Sequence, residues 1–130
     1  MSVPENYDAA YMSNSKWQKL FRALIANGIE VERAEWWLSG EIQPFLHRFP
    51  AESDIGEAGF LDGKFPPVEY RLIEKVVIPH SFRPELQRDY TTQQVTSQIV
   101  YVLEGAGKFP IEVSADGLSI VANSRGRVYG

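Results

Sequence analysis

The chain has 130 residues, of which 44 % are hydrophobic and 23 % charged, and a net charge of −4. This is the size and composition of one globular domain. It contains no cysteine, which excludes disulfides, zinc–thiolate sites and thiol nucleophiles. The acidic balance disfavours nucleic-acid binding, which needs a local excess of Lys and Arg. With no signal-peptide pattern and no stretch long enough to cross a bilayer, we expect a cytoplasmic protein that does not enter membranes.

The first part of the domain predicts a helix with clear ends. Residues 1–12 carry few periodic apolar positions and are predicted to form a flexible arm, followed by a single domain over residues 13–130. Five apolar residues recur at helical spacing over positions 17–25, after a run of side chains typical of an N-cap. Gly28 favours the left-handed conformation in which many helices end. We therefore predict a helix over about 14–27.

Strand-like patterns follow this helix. Apolar and acidic residues alternate from position 29, and the pattern continues less regularly to position 38, which predicts a half-buried strand over 29–38. A second strand over 42–49 is restricted to a sheet edge or a strand start, because Pro44 cannot donate a backbone hydrogen bond. Residues 50–67 form a long connection rich in Gly, Pro and carboxylates, of the length that is either functional or mobile.

The next segment predicts one more strand and one more helix. Its β-branched residues predict a strand over 68–78, which Pro79 should end. Thr91 and Gln94 have the spacing of a capping box, in which the two side chains satisfy amides at a helix start. Apolar residues at helical spacing follow, and the glycines within 105–107 predict the end of this second helix.

The last regular pattern predicts a hairpin. Two alternating runs, 111–113 and 118–121, flank Asp116 and Gly117, and the Asp-Gly pair favours a tight turn because both residues tolerate positive φ. The resulting order is helix, strands, connection, strand, helix, hairpin. Two helices packed on one face of a mainly antiparallel sheet would bury both apolar stripes, so we predict an α+β fold.

No catalytic motif is recognisable. His47 and His80 lie far apart, without a second histidine at helical spacing, so we expect neither to bind metal or to take part in catalysis. The glycines and lysine of residues 56–64 do not have Walker spacing, and two carboxylates within that stretch would repel phosphate. No serine nucleophile motif occurs. We therefore expect a protein without a cofactor, and we favour a non-enzymatic role.

Charge is distributed unevenly along the chain. Residues 28–62 contain eight acidic and two basic residues, a balance of −6, whereas the segments before and after each have a balance of +1. The acidic stretch also contains Trp36 and Trp37. Adjacent residues of a strand point to opposite faces, so one tryptophan is expected in the core and the other at the surface. Alternatively, both are buried and the carboxylates only solvate an outer face.

This asymmetry favours a binding function. An exposed tryptophan among carboxylates has the composition of a binding hot spot for a basic protein. Small acidic α+β proteins without catalytic signatures are often immunity proteins that neutralise a basic toxin, an analogy at the level of protein class. Our leading hypothesis is therefore an immunity protein with a basic, toxin-like partner. The predicted contact residues are Glu30, Glu32, Glu35, Trp36, Trp37 and Glu41.

Two other functions compete with this hypothesis. A small enzyme or ligand-binding domain would use residues 50–67 as a lid, with His47, Asp54, Asp62 and His80 as its polar groups. A structural subunit would instead use exposed aromatic residues as the interface of a homo-oligomer, for example a homo-dimer.

Short motifs at both ends of the chain carry a resemblance to known proteins. Asn14-Ser15-Lys16-Trp17 is followed by Leu20-Phe21, and the chain ends with 110–113, the hairpin and 127–130. These motifs resemble the DUF6678 family of small bacterial proteins, whose members begin with a similar Asn-Thr-Lys-Trp helix. The resemblance implies a small bacterial protein. Because the family has no assigned activity, it implies no catalytic residue.

Overall fold

The computed structural model describes residues 12–55, 60–61, 68–82, 92–94 and 96–122. The first element within them is helix α1 (Asn14–Ala26), which confirms the predicted helix. The Ser13 hydroxyl caps it by accepting a hydrogen bond from the Lys16 amide at 3.2 Å. Gly28 follows the helix with a φ of +70°, a conformation that glycine adopts without a steric penalty.

The second helix, α2 (Thr96–Ala106), starts later than the predicted capping box requires. Thr91 lies outside the described residues, and Gln94 precedes the helix and bonds elsewhere. The capping-box prediction is therefore wrong, although the predicted end of the helix at 105–107 is confirmed. α1 and α2 contact each other, and each buries one apolar stripe.

Five strands form the main antiparallel sheet, in the order β2-β1-β5-β9-β8, and the described residues contain two further strand pairs, β3–β4 and β6–β7. In chain order the strands are β1 (Ala34–Leu38), β2 (Phe45–His47), β3 (Phe60–Leu61), β4 (Val68–Glu69), β5 (Ile73–Pro79), β6 (Ser81–Phe82), β7 (Thr92–Gln93), β8 (Ile111–Val113) and β9 (Gly117–Val121). β2 lies at an edge of the main sheet, as Pro44 predicts.

The inner face of the main sheet packs against the helices. The strand register places Trp36, Val76 and Ile120 side by side on β1, β5 and β9, and all three are fully buried. They belong to the same core cluster as the buried residues of both helices, among them Phe21, whose ring lies 6.1 Å from that of Trp36. The predicted α+β fold is thereby confirmed.

The predicted strand start at residues 29–33 is wrong, since β1 begins only at Ala34. The backbone amides of Glu32 and Arg33 bond to the Gln94 side-chain oxygen, at 3.1 and 3.2 Å, and not to a neighbouring strand. The Gln94 side-chain nitrogen donates in turn to the carbonyls of Arg33 and Pro79. The Gln94 side chain thus makes the hydrogen bonds to residues 32 and 33 that a neighbouring strand would otherwise make.

The predicted strand over 68–78 is interrupted by a 3-10 turn, Tyr70–Leu72. The turn separates β4, which pairs with β3, from β5 in the main sheet. Tyr70 is buried, and its ring lies 6.3 Å from that of Phe21. The Tyr70 side chain is buried beneath α1 at the point where the chain passes from the β3–β4 pair to the main sheet.

The long connection over 50–67 contains regular structure where it is described. Glu52–Asp54 forms a 3-10 turn, and Ile55 forms a bridge with Leu61. Ile55 and Leu61 are both buried in the core cluster. Residues 56–59 and 62–67, which include most of the glycine-rich stretch, lie outside the described residues.

The predicted hairpin is confirmed, because β8 and β9 pair antiparallel. The reason given for its glycine is wrong, since among the described residues only Gly28 and Gly40 have a positive φ. A Cβ atom at Gly117 would lie 2.3 Å from the Ile78 carbonyl oxygen and 2.8 Å from the Pro79 Cα. Glycine is therefore required here by the close approach of β5.

The beginning of the described chain also contributes to the core. Met12, predicted as the last residue of the flexible arm, is buried, and residues 1–11 of that arm lie outside the described residues. None of the helices in the described ranges is long and apolar enough to cross a membrane.

Candidate partner-binding surfaces

Trp36 belongs to the core and is removed from the predicted contact residues, because it has no exposed surface. Its ring stacks on that of Phe45 at 5.9 Å and lies 5.4 Å from that of Phe49. Its Nε1 donates to the His47 carbonyl at 3.1 Å. These contacts satisfy both the apolar ring and its one polar atom, as a buried tryptophan requires.

Trp37 lies on the outer face of the main sheet and is half-buried. Its Nε1 donates to a carboxylate oxygen of Glu35 at 3.3 Å, and Nζ of Lys75 lies 5.1 Å from the centroid of its ring. That distance is within the range of a cation–π interaction. Trp37 is thus flanked by one carboxylate and one ammonium group, so this surface is less acidic than the sequence predicts.

The three remaining predicted contact residues, Glu30, Glu32 and Glu41, are exposed. Glu41 follows β1, and its amide donates to the Leu38 carbonyl at 3.1 Å. Within the described residues none of these three carboxylates forms an ion pair. The six predicted residues therefore do not form one surface, since they divide among the core, the outer sheet face, the turn after β1 and a groove.

The groove has a volume of about 560 Å³ and lies between the carboxyl-terminal half of α1, residues 28–32 and residues 48–52. Three carboxylates and one guanidinium line it, and we call it the acidic groove. Its charged lining residues are Glu30, Glu32, Glu52 and Arg48. Its large apolar lining residues are Phe21, Leu24, Ile25, Ile29, Val31, Phe49 and Pro50.

Arg48, which lines the acidic groove, and Arg22, on α1 beside it, each form an ion pair with a carboxylate. Arg48 Nη1 lies 3.1 Å from a carboxylate oxygen of the buried Asp54 and donates to the Phe49 carbonyl at 2.7 Å. Arg22 Nε, on α1, lies 3.2 Å from a carboxylate oxygen of Glu52. Glu30 and Glu32 are thus the carboxylates of the groove that no described cation neutralises.

The carboxyl end of α1 adds to the negative charge that Glu30 and Glu32 give the groove. The groove is lined by Ile25 and Gly28 at the carboxyl end of the helix, and the last helical turn contains no basic residue. The carboxyl end of a helix carries a partial negative charge that favours nearby cations. A cationic group in the acidic groove would therefore be attracted by both the side chains and the helix.

The polar residues of the enzyme or ligand-binding alternative have structural partners or lie apart. His80 Nδ1 is 2.6 Å from the Thr96 hydroxyl, and its Nε2 is 2.9 Å from the Ser114 carbonyl. Asp54 accepts a hydrogen bond from the amide of Ala51. A second cavity lies beside the carboxyl end of α2. His47, Asp54 and His80 line neither this cavity nor the acidic groove.

The described residues also contain no set of three His, Asp or Glu side chains placed to hold a metal ion. Asp62, the fourth polar residue of the ligand-binding alternative, lies outside the described residues. Two described residues of its predicted lid, Ile55 and Leu61, pack in the core, whereas residues 51–53 are exposed. Residues 50–52 line the acidic groove.

Sequence reasoning missed the apolar half of the acidic groove. Phe21 and Leu24 are correctly predicted to face the core, but Phe49 and Glu52 had no assigned role. The groove combines three segments that become neighbours only in the folded chain. One local signal was present, since Glu30 and Glu32 alternate with apolar residues beside the end of α1.

Comparison with known proteins yields no matching family model, no matching curated protein and no matching solved structure. The resemblance to the DUF6678 family therefore stays a prediction, and the carboxyl-terminal residues 127–130 that contribute to it lie outside the described residues.

Proposed function

We propose that this protein is a non-enzymatic binding protein that captures and blocks a basic protein partner. The observation that carries the proposal is the pair of exposed carboxylates, Glu30 and Glu32, which no described cation neutralises, beside an apolar groove. Apolar contact supplies affinity, and complementary charge accelerates association and selects the partner. Glu35 and Trp37, on the outer face of the main sheet, and Glu41, in the turn after β1, are further predicted contact residues outside the groove.

In its most specific form, the proposal describes an immunity protein that neutralises a basic toxin. The support for this form is the analogy with small acidic α+β immunity proteins, together with the acidic stretch over 28–62. Attraction between opposite charges raises the rate of capture by about 10–10³-fold. Rapid capture is what a protein needs in order to inhibit a toxin before the toxin acts.

Charge neutralisation tests the binding function. The basic partner is first identified by co-purification from the source cells, and its association rate is then measured at low and high salt. We expect the double variant Glu30→Gln/Glu32→Gln to associate about tenfold more slowly at low salt, with a smaller difference at high salt. Glu104→Gln/Asp116→Asn removes the same charge from exposed positions outside the groove, where neither carboxylate pairs with a described cation, and is the matched control. Equal rates for the two double variants would contradict the proposal.

Co-expression tests the immunity form of the proposal. The product of the adjacent gene is expressed with and without this protein, and cell survival is counted. We expect the neighbouring product to be lethal alone and harmless together with this protein. Lethality that persists despite co-expression would overturn the immunity form.

A homo-oligomer is the second candidate function. Exposed apolar side chains near a sheet edge favour it, but they are aliphatic and not the aromatic residues predicted for the interface. Ile42 and Leu46, next to and within the edge strand β2, are 92 % and 55 % exposed. An isologous dimer would cover both residues on each copy. Sedimentation velocity over a range of protein concentrations tests this function, because a strict monomer removes it. If a dimer forms, Leu46→Glu should shift it toward the monomer.

A further inference from the structure

The lining of the acidic groove divides into an apolar part and a charged rim. Phe21, Leu24 and Phe49 are buried beneath it, and Ile25 and Ile29 are half-buried. Half-buried aliphatic side chains in a concave site leave apolar surface that a partner can still remove from water. The volume of about 560 Å³ lies within the range of about 300–1,000 Å³ that is typical of ligand pockets.

The walls of the acidic groove are held in place before any partner arrives. The pair of Arg22 with Glu52 joins α1 to the opposite wall at 3.2 Å. Asp54 fixes that wall by bonding to Arg48 at 3.1 Å and to the amide of Ala51 at 2.9 Å. A preformed site spends less free energy on ordering its own groups when it binds.

The charges around the groove select one kind of occupant. A purely apolar side chain would leave Glu30 and Glu32 without a partner, and a second copy of this acidic chain would bring further carboxylates toward them. A segment with cations on both sides of an apolar residue can place that residue against the apolar part of the groove and its cations beside the charged rim. The carboxyl end of α1 favours the same cations.

We propose that the acidic groove binds a segment of the basic partner in which one large apolar side chain, aromatic or aliphatic, is flanked by Lys or Arg. The apolar side chain occupies the space beside Ile25 and Phe49, and the flanking cations lie near Glu30 and Glu32. This inference rests on the proposed function and adds to it a site and the chemistry of the segment that enters it.

Labelled synthetic peptides test the groove with the full-length protein. The first peptide carries one phenylalanine between two pairs of lysines, the second has serine in place of phenylalanine, and the third has glutamate in place of every lysine. Fluorescence anisotropy gives the three dissociation constants. Burial of one phenylalanine should make the first peptide bind about tenfold more tightly than the second. The third peptide should not bind.

Variants of the protein locate the binding site. Ile25→Ser removes apolar lining and should weaken binding of the phenylalanine peptide, whereas Ile42→Ser, the same change at an exposed position outside the groove, should not. Ala51→Trp adds bulk to the groove lining and should also weaken binding. It provides a second route if Ile25→Ser reduces stability, which urea denaturation measures in parallel.

The possible failures are distinguishable. Equal affinity for the phenylalanine and serine peptides, equal effects of the two serine substitutions, or binding of the glutamate peptide would each overturn the groove proposal. So would the absence of binding by any peptide. If neutralising Glu30 and Glu32 nevertheless slows capture of the natural partner, the proposed function stands and only the groove assignment fails.

Discussion

The side chain of Gln94 joins parts of the chain that are distant in sequence. Its oxygen accepts hydrogen bonds from the amides of Glu32 and Arg33, and its nitrogen donates to the carbonyls of Arg33 and Pro79 at 3.1 and 2.8 Å. The amide group uses both acceptor positions and both donors, which is its full capacity. It thereby connects the segment before β1 to the end of β5.

Replacement of Gln94 should destabilise the protein. Gln94→Ala leaves four backbone groups to find new partners, and we expect the free energy of unfolding to fall by about 1–3 kcal/mol. Gln94→Glu retains the shape but turns a carboxylate oxygen toward two carbonyl oxygens, so we expect at least the same loss. Urea denaturation measures both values. Gln98→Ala, on the exposed side of α2, is the control and should change stability by less than about 0.5 kcal/mol. If the Gln94 variants match this control, the bonds contribute nothing to stability.

Trp36 and Trp37 show how much of a strand's burial can be predicted from the sequence. The alternation of a strand predicts that Trp36 and Trp37 face opposite sides, and the structure confirms it. The pattern did not decide which one is buried, because the apolar Val31 is in register with Trp37 whereas the apolar Leu38 is in register with Trp36. That choice depends on the rings of Phe21, Phe45 and Phe49, which approach from other elements.

At the scale of elements, the contact between β5 and β9 requires a residue without a side chain at position 117. Gly117 pairs with Pro79, and a Cβ atom there would collide with the backbone of Ile78 and Pro79. A backbone neighbour cannot move aside as the end of a flexible side chain can. The two strands would have to separate locally to accept any other residue.

Two glycine substitutions should therefore have opposite effects. Gly117→Ala should destabilise the protein by about 1–3 kcal/mol, as overpacking does. Gly105→Ala, where an added Cβ meets nothing within 4 Å, should stabilise α2 by about 0.5–1 kcal/mol. Thermal or urea denaturation of both variants measures the difference. A loss at Gly105 as large as that at Gly117 would show that the close approach is not the cause.

Elements with local signals were predicted well, and those set by distant contacts were not. α1 has its own cap, apolar stripe and terminal glycine, and the hairpin of β8 and β9 has its turn residues. The 3-10 turn Tyr70–Leu72 has no such signal, since the surrounding β-branched residues favour one uninterrupted strand. It exists because the chain leaves β4 for a different sheet.

At the scale of the whole molecule, β5 is the central strand of the main sheet. It pairs with β1 on one side and β9 on the other, and Val76 and Ile78 are fully buried. β2 and β8 are the two edges of the sheet. The least exposed backbone hydrogen bonds are therefore those in the middle of the sheet.

Native-state hydrogen exchange should reveal this order. We expect the amides of β5 to exchange most slowly, with free energies of opening near that of global unfolding, and the amides of β2 and β8 to exchange faster through local opening. Exchange measured residue by residue by NMR tests this. Protection of β8 equal to that of β5 would contradict it.

The acidic groove illustrates the limit of prediction at this scale. The charge asymmetry along the chain points to residues 28–62, and two predicted contact residues of this stretch, Glu30 and Glu32, line the groove. Residues 48–52 and the end of α1 come next to Glu30 and Glu32 only when the chain folds. A site assembled from three segments leaves no continuous motif in the sequence.

The position of β5 also has a consequence for the order in which the chain can fold. Its partner β1 comes before it in the chain, but its other partner β9 is reached only after α2 and β8 have been made. During synthesis one edge of β5 therefore remains unpaired until Val121 has left the ribosome, and an unpaired apolar edge invites association with other chains. Such distant pairings also slow folding, so the interval before the hairpin closes is when this protein is most prone to aggregation.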